Sequence, residues 1–260
     1  MLGFSCEKPV IGVIHLEPLP GSPCFDSMKS VLDSALKDAE NLMEGGVDGI
    51  IIENFGDKPF VKKVSDLTVS SMSVVIDQVS YLSDIPIGIN VLRNDWKAAL
   101  SIVKVLDLDF VRINVYSGIE ATPEGLIEGE AGKIQRFREN NEIKCFIMAD
   151  IHVKHGEAVY PKNIEEAAVE TAERGLADAL IVSGDRTGNE VDSDQLKNVK
   201  SRVDIPVFIG SGINKNNVNI LVSNADGAIV GTYFKEDGEI ENSVSLKRVK
   251  DIMGKMDEIR

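Results

Sequence analysis

The stretch FIMADIHVKHG, residues 146–156, begins like a buried β-strand and then places Asp150, His152 and Lys154 on alternate positions. Side chains on alternate positions of a strand share one face of a sheet, so the opposite face here keeps only apolar residues. One apolar face and one ionisable face are typical of a strand in a barrel that is covered by helices outside and reaches solvent at its mouth. We therefore expect the ionisable face to point into a barrel.

Short apolar, β-branched segments of this kind recur along the chain and alternate with segments of helical periodicity. Eight segments are strand candidates: VIGVIH (10–15), VDGIIIE (47–53), PIGINV (86–91), FVRINV (110–115), KCFIMAD (144–150), ADALIVS (177–183), VFIGSG (207–212) and GAIVGT (227–232). Repeated strand–helix units require parallel strands with right-handed crossovers, and eight units in 260 residues fit a closed barrel. We predict an α/β fold, a single (β/α)8 TIM barrel over residues 1–260, with an open doubly wound sheet as the alternative.

Helix boundaries and loop lengths agree with this repeat. The helical segment 27–46 ends in Gly45 and Gly46, and the segment 163–175 has Asn163 as its expected N-cap. The loops that follow strands are longer than those that precede them. Elaborated loops at the carboxyl ends of barrel strands are where active sites of such barrels are built.

Composition restricts the possible partners and compartment. The chain has 28 basic and 42 acidic residues and a net charge of −14, which opposes binding to nucleic acid. Its three cysteines are odd in number and lack metal-type spacing, so we expect reduced thiols in a cytoplasmic protein. We also expect no integral membrane segment, because no apolar run approaches about 20 residues. A homo-oligomer is possible.

Polar residues recur at the ends of the predicted strands, on the face that should point inward. These candidate catalytic residues are His15, Glu17, Glu53, Asn90, Arg112, Asn114, Asp150 and His152. Any one of them could be a paired ion or a hydrogen-bonded polar residue with only a structural role. Several buried charges together are costly unless water reaches them, so the pattern favours a pocket at the mouth of the barrel.

Glycine-rich turns follow the predicted strands seven and eight. Glycines let backbone amides approach an anion closely, and these two loops form the phosphate site in phosphate-binding barrels. The candidate phosphate-binding residues are Ser183, Gly184, Gly210, Ser211, Gly212, Gly231 and Thr232. The alternative is steric, since glycines close many strand–helix turns. The segment SGDRTG (183–188) could add further amides or could be a flexible turn.

Other chemistry has weaker support in the sequence. No cofactor is predicted; a divalent metal is possible, held by Asp150 with His152 and His155, or by His15 with Glu17, although neither set has zinc spacing. Lys154 could form a Schiff base if it were desolvated. Because it lies beyond the apolar run, we expect instead a solvated lysine, at the surface or paired with an anion.

Several long motifs resemble one known family. The motifs are VIGVIHLEPLPGSP, GGVDGIIIENFGDKPF, PIGINVLRND, VRINVYSG, GLIEGEAGKIQRFR, ADIHVKH, RGLADALIVSGDRTG, IPVFIGSGINKNNV and DGAIVGTYFK. Over residues 9 to about 250 the chain is similar to the BtpA/SgcQ family, which implies a (β/α)8 barrel of the phosphate-binding type. The resemblance supplies no catalytic residues, and His15 stands where a phosphoribosylanthranilate isomerase would have a cysteine.

Two classes of function follow from these observations. The first is an enzyme acting on a small phosphorylated ligand, a sugar or nucleoside phosphate, as an isomerase, lyase or glycosidic-bond hydrolase. In this hypothesis Asp150, His152, Glu53 and His15 transfer protons, and Arg112 orients the substrate together with Asn114. The second is a non-catalytic assembly or regulatory factor, since one member of the resembled family is named for photosystem I biogenesis. A metabolite sensor is a third hypothesis.

Overall fold

The computed structural model describes residues 3–161, 163–184 and 190–260, and these form eleven strands. The strands are β1 (Val10–His15), β2 (Gly49–Glu53), β3 (Ile87–Asn90), β4 (Phe110–Ile113), β5 (Ile119–Thr122), β6 (Gly125–Glu128), β7 (Phe146–Ile151), β8 (Glu157–Tyr160), β9 (Ala179–Val182), β10 (Val207–Ile209) and β11 (Gly227–Val230). All except β5, β6 and β8 belong to one closed barrel of eight parallel strands, in which β11 pairs with β1. The predicted barrel is confirmed and the open sheet is wrong.

Helices follow the barrel strands and cover the outside of the barrel. They are α1 (Met28–Glu44), α2 (Asp66–Ser80), α3 (Trp96–Leu106), α4 (Ala131–Asn140), α5 (Ile164–Val169), α6 (Ser193–Lys200), α7 (Val218–Ser223) and α8 (Leu246–Met256). A π-helical turn, Glu170–Arg174, continues α5. The side chain of Asn163 accepts a hydrogen bond from the Glu166 amide and caps α5, as its residue type predicted. No helix among the described residues is long and apolar enough to cross a membrane.

The amino-terminal half of the barrel interior is filled with apolar side chains, so the site lies at the other end. These interior residues are Phe4, Ile11, Val13, Ile51, Phe110, Met148, Ala179, Ile181, Phe208 and Ile229. Large rings are accommodated by glycines on the neighbouring strand. A Cβ atom added to Gly88 would lie 2.1 Å from the ring of Phe110, and one added to Gly227 would lie 2.4 Å from the ring of Phe208.

A small antiparallel sheet of β5, β6 and β8 departs from the sequence prediction, which treated the chain after the fourth and fifth barrel strands as loops. Strand β5 pairs with both β6 and β8. The β5–β6 hairpin turns at Pro123 and Glu124, and Gly125 follows with φ 97°. The strands have four residues each, which is too short for the alternation of polar and apolar residues to identify them.

Candidate functional site

Three predicted residues lie in one layer at the carboxyl ends of neighbouring strands. His15 is in register with Glu53, and Glu53 with Asn90, so their side chains share the inner face of the barrel. Asn90 Nδ2 donates to Glu53 Oε1 over 3.2 Å, and His15 Nε2 lies 4.0 Å from Glu53 Oε2. The polar strand ends therefore converge, as the alternation predicted.

Arg112 joins two carboxylates in the centre of this layer. Its Nε and Nη2 donate to the two oxygens of Asp150 over 2.8 and 2.9 Å, and its Nη1 donates to Glu53 Oε1 over 3.1 Å. Burial alone would lower the pKa of Arg112, but Asp150 and Glu53 raise it above its ordinary value. Asn114 Nδ2 donates to Asp150 Oδ2 over 2.8 Å, which fixes that carboxylate further. The guanidinium is a permanent, oriented cation.

His15 is a neutral imidazole. Burial lowers its pKa well below the usual 6.5, and the nearby cations Lys235 and Lys154 lower it further. Its ring lies 4.7 Å from that of Phe55, and its Nδ1 has no hydrogen-bond partner among the described residues. Nδ1 is thus available to accept or donate a hydrogen bond, while Nε2 is the nitrogen that faces the Glu53 carboxylate.

A cavity of about 260 Å³ opens above this layer. The ionisable network of Glu53, Arg112 and Asp150 lines one part of it, and the segments Gly210–Gly212 and Gly231–Thr232 line another. Among the described residues that line it, four side chains are cationic and two are carboxylates. The four cations are Arg93, Arg112, Lys154 and Arg248. A protein with a net charge of −14 therefore has a cavity with an excess of positive charge, which suits an anionic ligand.

The glycines that line the cavity also have packing roles. A Cβ atom on Gly210 would lie 2.4 Å from Ser183 Oγ, and one on Gly231 would lie 2.9 Å from the His15 ring. Gly212 has φ +75°, a conformation that glycine adopts without strain. The steric alternative is therefore correct for these positions. The Gly210 amide is not available to an anion either, because it donates to the carbonyl oxygen of Val182 over 2.8 Å.

The loops after β9 and β10 are joined, but not all of their predicted residues reach the cavity. The Gly184 amide donates to Ser211 Oγ over 2.9 Å. Ser211 lines the cavity, whereas Ser183 and Gly184 are outside its lining. The predicted anion-binding segment 183–188 lies outside the described residues from position 185 onward.

Two predicted catalytic residues lie away from the cavity. Glu17 accepts a hydrogen bond from Ser30 Oγ over 2.7 Å, which ties the loop after β1 to α1. His152 has φ 56°, and its Nε2 lies 3.1 Å from the carbonyl oxygen of Pro161. Strand β7 ends at Ile151, so the alternation that would point His152 into the cavity stops one residue too early. Neither side chain lines the cavity, although His152 lines a small neighbouring pocket together with Asn114 and Asp150.

Lys154 also differs from its expected solvated position. Its side chain lines the cavity and its Nζ donates to the carbonyl oxygen of Gly210 over 2.8 Å. Burial lowers its pKa from 10.5 to about 8, and the nearby Arg112 cation acts in the same direction. The lysine is therefore part of the site, in a poorly solvated position that the sequence did not indicate.

Two arginines complete the site without having been predicted. Arg93 donates to the backbone carbonyl of Lys154 and lies 3.5 Å from Glu124 Oε2. Arg248, in the first turn of α8, donates from Nε to the carbonyl oxygen of Tyr233 and lies over that ring at 4.3 Å. Arg93 follows a predicted strand closely and could have been considered from the sequence. Arg248 could not, because it lies in a helix remote from any strand end.

No group of three or more His, Cys, Asp or Glu side chains within residues 3–161, 163–184 and 190–260 could hold a metal ion. Each of the two sets proposed from the sequence has a member outside the lining of the cavity, His152 in the first and Glu17 in the second.

Comparison with known proteins gives both a family and a fold. The model described as "BtpA family" matches residues 6–258. An uncharacterized protein of Methanocaldococcus jannaschii is 45% identical over 254 residues, covering 97% of this chain and 97% of that protein. The photosystem I biogenesis protein BtpA of Synechocystis is 41% identical over 249 residues, covering 95% of this chain and 87% of that protein.

Solved structures of low sequence identity share the barrel. Thiamine phosphate pyrophosphorylase from Pyrococcus furiosus superposes with a TM-score of 0.61 at 16% identity, covering 97% of this chain and 96% of that one. The (S)-3-O-geranylgeranylglyceryl phosphate synthase from Thermoplasma acidophilum, in complex with sn-glycerol-1-phosphate, has a TM-score of 0.61 at 18% identity. The match covers 96% of this chain and 94% of that one. These similarities show the fold alone.

Proposed function

Since the chain belongs to the BtpA family and forms a closed barrel with a cation-rich cavity, we propose that it is an enzyme acting on a small phosphorylated metabolite. The substrate class is a sugar or nucleoside phosphate. The reaction is an isomerisation, a lyase reaction or the hydrolysis of a glycosidic bond.

The observation that carries the proposal is the arrangement of the cavity walls. The glycine turns after β10 and β11 line the same cavity of about 260 Å³ as a buried network of acids and bases. That volume admits a small metabolite, and the excess of cations favours an anionic one. Support also comes from the two fold neighbours, whose names contain phosphorylated compounds.

The contacts suggest separate roles for the ionisable residues. Both oxygens of Asp150 accept hydrogen bonds from Arg112, so this pair orients the substrate. Glu53 Oε2 lies 4.0 Å from the neutral His15 ring, and these two residues are the better candidates for proton transfer. Asn114 Oδ1 is buried without a hydrogen-bond partner among the described residues, so it can accept a hydrogen bond from a substrate hydroxyl.

Phosphate binding can be tested by calorimetry with ribose 5-phosphate and sn-glycerol 1-phosphate, each compared with its unphosphorylated counterpart. We expect a Kd below about 1 mM for at least one phosphate ester and no measurable binding of ribose or glycerol. Arg248→Met should weaken binding by roughly tenfold or more, because a hydrogen bond to a charged group contributes about 1.5–3 kcal/mol.

A matched control is Arg174→Met, which removes an exposed arginine remote from the cavity lining. Its binding should equal that of the unmodified protein. If no phosphate ester binds at millimolar concentration, or if both arginine variants bind equally well, the proposed function is wrong. A turnover screen with the tighter ligand then separates isomerase, lyase and hydrolase chemistry.

A second candidate function rests on the 41% identity to the photosystem I biogenesis protein. In that case the protein acts as an assembly factor and the buried charges merely pair with one another. The same titration discriminates the two hypotheses, because an assembly factor without a ligand gives no phosphate-dependent heat.

A further inference from the structure

The amine of Lys154 lies beside the loop proposed to bind phosphate. Lys154 follows β7, and its side chain crosses the mouth of the barrel to reach the end of β10, where Nζ contacts the Gly210 carbonyl oxygen at 2.8 Å. The backbone of Lys154 is held as well, because Arg93 donates to its carbonyl oxygen. The amine is therefore fixed at one place in the cavity rather than mobile at its rim.

The surroundings of Lys154 differ from those of a lysine in a structural ion pair. Within the described residues, no carboxylate forms an ion pair with Lys154, although Asp150 and Glu53 line the same cavity. By contrast, the buried Lys235 is paired with Asp38 at 2.7 Å. Burial and the Arg112 cation lower the pKa of Lys154 to about 8. At pH 7.5 its neutral fraction exceeds that of an ordinary lysine by roughly a hundredfold.

We propose that Lys154 forms a Schiff base with the carbonyl carbon of a small phosphorylated aldehyde or ketone. This inference rests on the proposed function, since the phosphate group of that substrate lies at Gly210–Gly212 and Gly231–Thr232. Because Nζ already contacts Gly210, the reacting carbon is a few bonds from the phosphate ester. The inference narrows the substrate class to phosphorylated carbonyl compounds and favours lyase or isomerase chemistry.

The reaction balances without a further reagent. The neutral amine attacks the carbonyl carbon and a C–N bond forms. The carbonyl oxygen takes one proton from the attacking nitrogen and one that the ammonium group released on becoming neutral, and it leaves as water. The product is a protonated imine that carries the positive charge formerly on the ammonium group. Such an imine withdraws electrons from the adjacent carbon, which eases loss of a proton or cleavage of a C–C bond there.

The test is reduction with sodium borohydride in the presence of dihydroxyacetone phosphate or ribose 5-phosphate, followed by peptide mass spectrometry. We expect a stable secondary amine on Lys154 with at least one of the two probes, and labelling that rises with pH with a midpoint near 8. Lys154→Arg keeps the positive charge but cannot form an imine, so its cavity should remain unlabelled. Lys58→Arg, which changes a half-exposed lysine that contacts Phe55 of the same cavity, should leave labelling of Lys154 unchanged.

Calorimetry on the same samples distinguishes failure of this inference from failure of the proposed function. If the probes bind but no adduct appears on Lys154, or if surface lysines are labelled as fast as Lys154, the Schiff base is wrong and phosphate binding stands. If neither probe binds, the Schiff base is wrong, and the proposed function is wrong as well if sn-glycerol 1-phosphate also fails to bind. Circular dichroism of Lys154→Arg and a second variant, Lys154→Met, shows whether loss of labelling reflects misfolding.

Discussion

Arg112 is the residue on which the geometry of the site depends. It is only 6% exposed, and it holds Glu53 and Asp150 at the centre of the barrel mouth. Removing one partner of a buried ionic cluster destabilises the folded protein by more than the intact cluster stabilises it, because the remaining charges stay buried without a partner of opposite charge. The same guanidinium stabilises the barrel end and orients the groups proposed to act on the substrate.

At this scale we predict that Arg112→Met lowers the free energy of unfolding by about 3–5 kcal/mol, since two buried carboxylates lose their cation. Urea unfolding followed by circular dichroism measures the loss. Lys250→Met is the control, because Lys250 and Glu44 form an exposed pair at 3.0 Å that should contribute about 0–1 kcal/mol. Equal losses in the two variants would show that Glu53 and Asp150 are not charged in the folded protein.

The sheet of β5, β6 and β8 is the element that most distinguishes this barrel from a plain strand–helix repeat. It is connected to the cavity wall, because Arg93 contacts both Glu124 in its hairpin and the backbone of Lys154. Glu120 in β5 is buried, and its Oε2 has no hydrogen-bond partner among the described residues. Burial raises the pKa of Glu120 from 4.5 to about 7. The folded sheet therefore favours the protonated form of Glu120.

We predict a pH dependence of stability at this element. The pKa of Glu120 is about 7 in the folded protein and 4.5 in the unfolded chain. Protonated Glu120 therefore makes its full contribution to the free energy of unfolding below pH 4.5, and this contribution is lost as the pH rises through 7. Relative to Glu120→Gln, the free energy of unfolding of the unmodified protein should fall by on the order of 2 kcal/mol between pH 5 and pH 8. Thermal unfolding across this range provides the measurement.

Glu128→Gln serves as the control for this experiment, since Glu128 lies in β6 of the same sheet but is exposed. Its stability should follow that of the unmodified protein at every pH. A constant difference between Glu120→Gln and the unmodified protein from pH 5 to pH 8 would contradict the proposed role of the Glu120 proton.

For the whole molecule, closure of the barrel depends on fitting large and small side chains inside it. Phe110 and Phe208 fill the amino-terminal half because Gly88 and Gly227 leave room for their rings. This apolar filling excludes water from the lower half and confines the polar groups to the carboxyl-terminal mouth. The position of the cavity is thus a consequence of the interior packing as well as of the polar strand ends.

Two glycine-to-alanine variants test this packing. Gly88→Ala should destabilise the protein by about 1–3 kcal/mol or more, because the added methyl group would lie 2.1 Å from the Phe110 ring. Gly254→Ala, in α8, adds the same methyl group with no atom within 4 Å and should stabilise the protein by about 0.5–1 kcal/mol. Chemical unfolding of both variants gives the comparison; a stable Gly88→Ala protein would mean that the interior can rearrange around Phe110.

The amino-acid sequence alone determined the barrel and the central layer of its site. Period-two alternation in a strand is a local property, so His15, Glu53, Asn90 and Arg112 could be assigned to the inner face before any contact was known. Asp150 was assigned in the same way. Closure of the barrel followed from the number of strand–helix repeats and the short turns before each strand.

Only the tertiary structure decided which residues beyond the strand ends reach the cavity. Lys154 enters it and His152 does not, although both continue the same alternation, because β7 ends at Ile151 and the chain beyond it follows a turn. Arg248 joins the site from a helix on the far end of the chain. The physical reason is that strand geometry fixes side-chain direction only while the backbone remains extended; past that point, direction depends on packing between segments distant in sequence.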